Sequence, residues 1–186
     1  MEKQTKINFA LLWLAMLVSS TGTFLLLLAL STKYYLEFKS GVFAGGVFSS
    51  QWLASLILFP LISTFCLKYS PRNLLSSVEG FSAIASLLIG LFSYESWGIV
   101  FSLLFLRGFL EGIMKSSRMM ALKLYIPKDH IEKASSMFNT SYFIGAGIGG
   151  LIGTFVINRF SLMQIASIDA LTFIMSASIY LSLIHI

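Results

Sequence analysis

The chain has 186 residues, 56% of them hydrophobic and 11% charged, with a net charge of +5 and a mean hydropathy of +0.84. Those figures exclude an ordinary soluble domain and describe a polytopic membrane protein. A single cysteine, Cys66, and two histidines too far apart for ligand spacing, His130 and His185, exclude an internal disulfide and a Cys/His metal cluster. The Lys and Arg residues lie between apolar runs, so the positive charge points to orientation in a bilayer and not to nucleic acid.

In chain order, Lys3 and Lys6 precede an uncharged run over 7–32, far longer than the ~7–15 apolar residues of a secretory leader. With no cleavage site behind it, it is a retained first span at about 9–30. Ser19, Ser20, Thr21, Gly22 and Thr23 form a polar break midway along it. Their hydroxyls either bond back to the preceding turn, cross to another helix, or line a cavity for an amphipathic substrate. A second uncharged run, 40–67, would be about 40 Å long as a helix against a ~30 Å hydrocarbon core, so it tilts or kinks at Pro60.

The third span, 74–92, contains Glu79, and the fourth, 97–122, carries several charges. Pro127 stops the fourth, and Asp129 with Glu132 predicts a capping box for the fifth, 136–157; His130 beside it is solvated. The sixth span, 162–184, contains Asp169. The ending 183–186 leaves no tail, so the chain is read as incomplete, with no role for His185.

Span four is the informative one. Arg107, Glu111, Lys115 and Arg118 follow spacings of four, four and three, which put them on one helical face. Each ionisable group at membrane depth costs roughly 2.5–3.5 kcal/mol even on insertion scales, so that face must meet water or packed protein. Arg107 lies about 15 Å into the span, near the midplane. Glu111, one turn on, can neutralise it and is the better proton acceptor. Lys115 and Arg118 are predicted to snorkel toward the aqueous edge. Arg107 and Glu111 are expected to face a polar cavity shared with Ser20 and Thr23.

Orientation follows from the basic residues. Lys3, Lys6, Lys68, Arg72, Lys115, Arg118, Lys123, Lys128 and Lys133 fall on one side, and Lys33, Lys39 and Arg159 on the other. That asymmetry predicts both termini in the cytoplasm.

The chain also repeats itself. Residues 61–86 align without a gap on 151–176, a shift of 90: Leu61, Ile62, Thr64, Phe65, Ser77, Ile84 and Ser86 meet identical residues, and Glu79 meets Asp169. Farther back, Gly22 meets Gly112 and Tyr35 meets Tyr125. Repeat one spans about 9–92 and repeat two about 99–184. Three spans per copy make the second enter the membrane from the opposite side, an inverted repeat. The predicted fold is all-α: six transmembrane helices in two inverted three-helix repeats.

From Arg107 onward the sequence resembles the major facilitator superfamily, in its branch of drug and siderophore exporters that includes macrolide efflux and enterobactin exporters. The resemblance rests on Arg107, on the loop Tyr125, Ile126, Pro127 with Asp129 and Glu132, and on the string Gly145, Ala146, Gly147, Ile148, Gly149, Gly150. The run from Ile168 and Asp169 to Phe173 completes it. The glycine string is similar to the antiporter motif GPxxGG, with Ala146 in place of proline. Residues 63–72 occupy the position of the GxxxD(R/K)xGRR gating loop, where Lys68 and Arg72 match basic positions while Ser63, Leu67 and Ser70 replace Gly, Asp and Gly.

The resemblance implies the amino-terminal half of a twelve-span secondary transporter in a bacterial plasma membrane, with the carboxy-terminal six-helix half absent. It implies spans one and four lining the cavity, with Arg107 either a substrate or coupling group or one member of a structural ion pair. Spans three and six lie at the periphery, so Glu79 and Asp169 serve interhelical hydrogen bonding or, as acids at membrane depth, proton coupling. Gly145, Gly149 and Gly153, widened by Gly147 and Gly150, also suit close helix packing. The partners implied are lipid, protons and a small amphipathic substrate such as a drug or siderophore. No HExxH, GxSxG or Walker A sequence is present, and no enzyme, cofactor or metal is expected. The alternatives are a lysolipid transporter or a non-transporting scaffold or channel subunit.

Overall fold

The computed structural model describes residues 3–182, which form seven α-helices and no strand. They are α1 (Lys3–Phe38), α2 (Gly41–Ile57), α3 (Phe59–Lys68), α4 (Pro71–Phe92), α5 (Trp97–Tyr125), α6 (Ile131–Val156) and α7 (Leu162–Leu181), with a single 3₁₀ turn at Lys128–His130. Residues 183–186, including His185, lie outside the described residues.

Four of these, α1, α4, α5 and α7, are long and apolar enough to cross a membrane. The α2–α3 pair makes a fifth if it is one bent span. Helix α6 has 26 residues, but Glu132, Lys133, Ser135, Ser136, Asn139 and Thr140 make its first half more polar.

Sequence chemistry sets most of the boundaries. Helix α1 runs past its predicted end to Phe38 because Tyr34, buried, stacks on Phe101 and packs on Phe38. Lys39 at φ 49° then turns the chain, and Ser40 caps α2 by accepting from the Val42 N–H. The predicted kink is present: α2 and α3 meet at 62° around Leu58. Pro60 sits in the first turn of α3, where its missing N–H leaves no helical bond unmade. The predicted Asp129/Glu132 capping box does not form. The 3₁₀ turn occupies 128–130, and His130 takes the cap position of α6 without a side-chain bond. A capping box forms instead at α7, where Ser161 and Gln164 bond each other's backbone N–H groups.

Helix α4 packs mainly on α7 and α5; α1 packs on α6 and α7; α5 packs on α2, α3 and α4. Exchanging α1 with α5, α4 with α7, and the α2–α3 pair with α6 reproduces this neighbour pattern. Ser86 bonds Asp169 while Ser176 bonds Glu79, so positions rise along α4 as they fall along α7, and the two helices are antiparallel. Apolar clusters close both ends of the bundle. Leu25, Tyr34, Val100, Leu104 and Leu162 form one, and Leu12, Leu122, Tyr125, Phe138 and Tyr180 the other. Between them lies the charged stretch of α5.

Candidate functional site: a buried charge ladder on α5

Arg107 and Arg118 are eleven residues apart, three turns, so at about 100° per residue they leave α5 only about 20° from each other. Both are buried, at 2% and 1% exposure. Glu111 and Lys115 diverge from Arg107 by about 40° and 80° on the same arithmetic. They lie at the edge of the packed face, Glu111 30% exposed and Lys115 exposed. One face in the sequence thus divides into a buried arginine row and a more exposed margin.

Each arginine has its own carboxylate on another helix. Arg107 Nη1 lies 2.8 Å from Asp169 Oδ2 on α7, a charge contact without the alignment of a hydrogen bond, and its Nη2 donates to Thr23 at 3.1 Å. The guanidinium also stands over the Phe173 ring at 4.9 Å. Arg118 Nη2 donates to Glu79 Oε1 on α4 and to Ser19 on α1, both at 2.8 Å, and its Nε donates to the Tyr180 hydroxyl at 2.8 Å. Its Nη1 is 3.7 Å from Glu111 Oε1, so Arg118 stands between one buried and one half-exposed carboxylate.

The acids are tied by serines in a reciprocal way. Ser86 donates to Asp169 and Ser176 to Glu79, each at 2.8 Å. One oxygen of each acid, Glu79 Oε2 and Asp169 Oδ1, is buried with no partner. Removing a single member of such a buried pair typically costs 3–5 kcal/mol, because the survivor is left charged and dry.

Several expectations need correction. Arg107 is neutralised by Asp169 and not by Glu111, because α7 packs antiparallel across this face while the one-turn neighbour turns to Arg118. Arg118 does not snorkel; it is enclosed by α1, α4 and α7. Thr23 does meet Arg107, but Ser20 does not. The Ser20 hydroxyl bonds back to Met16 and Leu17 and sits against Gly145, while Ser19, from the same polar break, crosses to Arg118. Glu79 and Asp169 are more than hydrogen-bonding groups, since each carries an ion pair.

Gly145, Gly149 and Gly153 press on α1, where an added Cβ would meet Ser20, the Thr21 carbonyl and Leu28. Gly147 and Gly150 do not join that contact and face open space. Lys68 is exposed beside the Tyr69 ring, and Arg72 donates to the Leu181 carbonyl, tying the start of α4 to the end of α7.

The residues around the ladder that were given no site role in advance are Ser19, Tyr180 and the pair Ser86 and Ser176. The last two had a signal: each follows its repeat-related acid by seven residues, two helical turns on the same face. Thr172 packs with Asp169 against Gly22, where a Cβ would collide with both. A cleft of about 940 Å³ lies elsewhere, between α2–α3 and α5, and neither Arg107 nor Glu111 lines it.

Compared with known proteins, the chain matches the family model described as Major Facilitator Superfamily over residues 12–185. No curated protein matches it.

Proposed function

Because the chain belongs to the Major Facilitator Superfamily and is thus a multi-pass membrane transporter rather than an enzyme, we propose that it works in proton-coupled export of a small amphipathic organic molecule. The observation that carries the coupling is the position of Arg118 between Glu79, fully buried, and Glu111, 30% exposed. Glu111 is the more exposed of the two carboxylates. A proton on Glu111 removes one of the two charges competing for Arg118 and leaves the guanidinium to Glu79; its loss restores the shared state. Arg107 and Asp169, three turns away, hold α5 to α7 and bring Thr23 of α1 to the same layer.

The proposed setting is a bacterial plasma membrane crossed six times with both termini in the cytoplasm. The basic asymmetry supports that orientation. The unit proposed to transport joins this chain to a second six-helix half.

The test is export from everted vesicles carrying the product of the complete gene, with a panel of fluorescent amphipathic dyes and an imposed pH gradient. Wild type accumulates dye while the gradient lasts. Glu111→Gln still moves dye down its own gradient and no longer responds to pH. Dye movement in Glu111→Gln that collapses with the pH gradient as in wild type would reject Glu111 as the proton port. No gradient-dependent movement in wild type would reject export.

A further inference from the structure

We infer that the cleft between α2–α3 and α5 binds an amphipathic organic anion, its negative group held by Lys115 and its apolar body laid along the wall of α2 and α3. This deepens the export reading and rests on it, since it names the charge of the cargo.

The 62° bend at Leu58 opens the cleft by turning α3 away from the line of α2. The space is about 940 Å³, within the range of drug-sized sites, ~300–1,000 Å³. Trp52, Leu56 and Phe59 form one wall and Met119 part of the other, a combination of flat aromatic and adaptable thioether surface that suits a hydrophobic body of undefined shape. Two charges enter this lining, Lys115 and Lys123, and both are positive.

Among the described residues neither lysine has an ion pair or hydrogen bond. The natural partner of Lys115 is Glu111, four residues earlier, in the favourable order for a helical Glu–Lys pair. Glu111 is turned instead to Arg118, inside the bundle. Lys115 is ten residues from the end of α5, about 15 Å along the axis, and stands as an unpaired cation in a mainly apolar lining. An anion arriving with its own hydrocarbon body satisfies both parts of the site. Lys123, about 12 Å farther along α5 and in its last turn, places a second positive charge toward the mouth, which draws such a ligand in.

The test uses the product of the complete gene in phosphatidylcholine nanodiscs, with Trp13, Trp97 and any tryptophan outside these 186 residues changed to Phe so that Trp52 alone reports. Two probes share one body and differ in sign: 1-pyrenebutyrate and the corresponding pyrenebutyl-trimethylammonium. Quenching of Trp52 by energy transfer, corrected with empty discs, gives an affinity for each. The anion is expected to bind about tenfold more tightly than the cation, and the two to come within about twofold of each other in Lys115→Gln/Lys123→Gln. Lys39→Gln, on the loop between α1 and α2, leaves the preference intact. Equal binding of both probes by wild type, or a preference that survives the double substitution, overturns the inference while leaving the export reading standing. Lysine-dependent quenching that disappears in discs containing phosphatidylglycerol assigns the cleft to a lipid headgroup and also overturns it. Absence of binding by either probe counts against the export of an amphipathic molecule itself.

Discussion

Ser86 on α4 donates to Asp169 on α7 at 2.8 Å, and the residues 90 positions away from each, Ser176 and Glu79, make the same bond in the reverse direction at the same distance. The internal repeat is therefore expressed as an exchanged pair of contacts across one helix–helix interface. Each acid then takes its cation from α5.

Breaking the Arg118–Glu79 pair from one side should be severe. Glu79→Ala leaves Arg118 buried beside the half-exposed Glu111 as its only carboxylate, and should lower unfolding stability in detergent by about 3–5 kcal/mol. Glu79→Leu combined with Arg118→Met should recover most of that stability and remain inactive in transport. A double variant that transports normally would reduce the pair to a structural lock.

Arg107→Lys should abolish transport, as Arg107→Ala should. A lysine keeps the charge but cannot present one nitrogen to Asp169 and another to Thr23 while lying flat over Phe173. Export by Arg107→Lys near the wild-type rate, at matched expression, would mean that charge alone is enough.

The glycines of α6 should separate by face. Gly149→Ala pushes a methyl group into the Thr21 carbonyl, with the Leu25 nitrogen at 3.1 Å and the Phe24 Cβ at 3.2 Å, and should destabilise by about 1–3 kcal/mol. Gly147→Ala meets nothing within 4 Å and should be neutral or gain about 0.5–1 kcal/mol from better helix propensity. Thermal unfolding of the two single variants decides it; equal losses would contradict this packing.

Cysteines introduced at Lys39 and at Lys128, with Cys66 replaced by Ala, should react from opposite sides of the membrane. The impermeant reagent added outside whole cells should label position 39 only. Equal labelling of both would contradict the orientation drawn from the basic residues.

The helices were legible because apolar runs of span length leave few other choices, and Pro60 and Pro127 mark real boundaries. The start of α6 was not, since a 3₁₀ turn took the residues that looked like a cap. The depth of Arg107 could be read from its place in an apolar run, and the equivalence of Glu79 with Asp169 from self-comparison. Which acid meets which arginine could not. A one-turn neighbour such as Glu111 is close on any helix, whereas Asp169 reaches Arg107 only because α7 runs back across α5, a tertiary fact with no local signature. Arg118 looked like an edge residue for the same reason.

The two arginines also break the symmetry that the serines keep. Subtracting 90 from their positions gives Leu17 and Leu28, so the copy containing α1 carries no counterpart cations. Two interchangeable repeats would give a carrier two mirror-related arrangements of equal free energy, with neither favoured at rest. With both acids paired to α5 and none to α1, that degeneracy is lifted, and one of the two arrangements is favoured at rest.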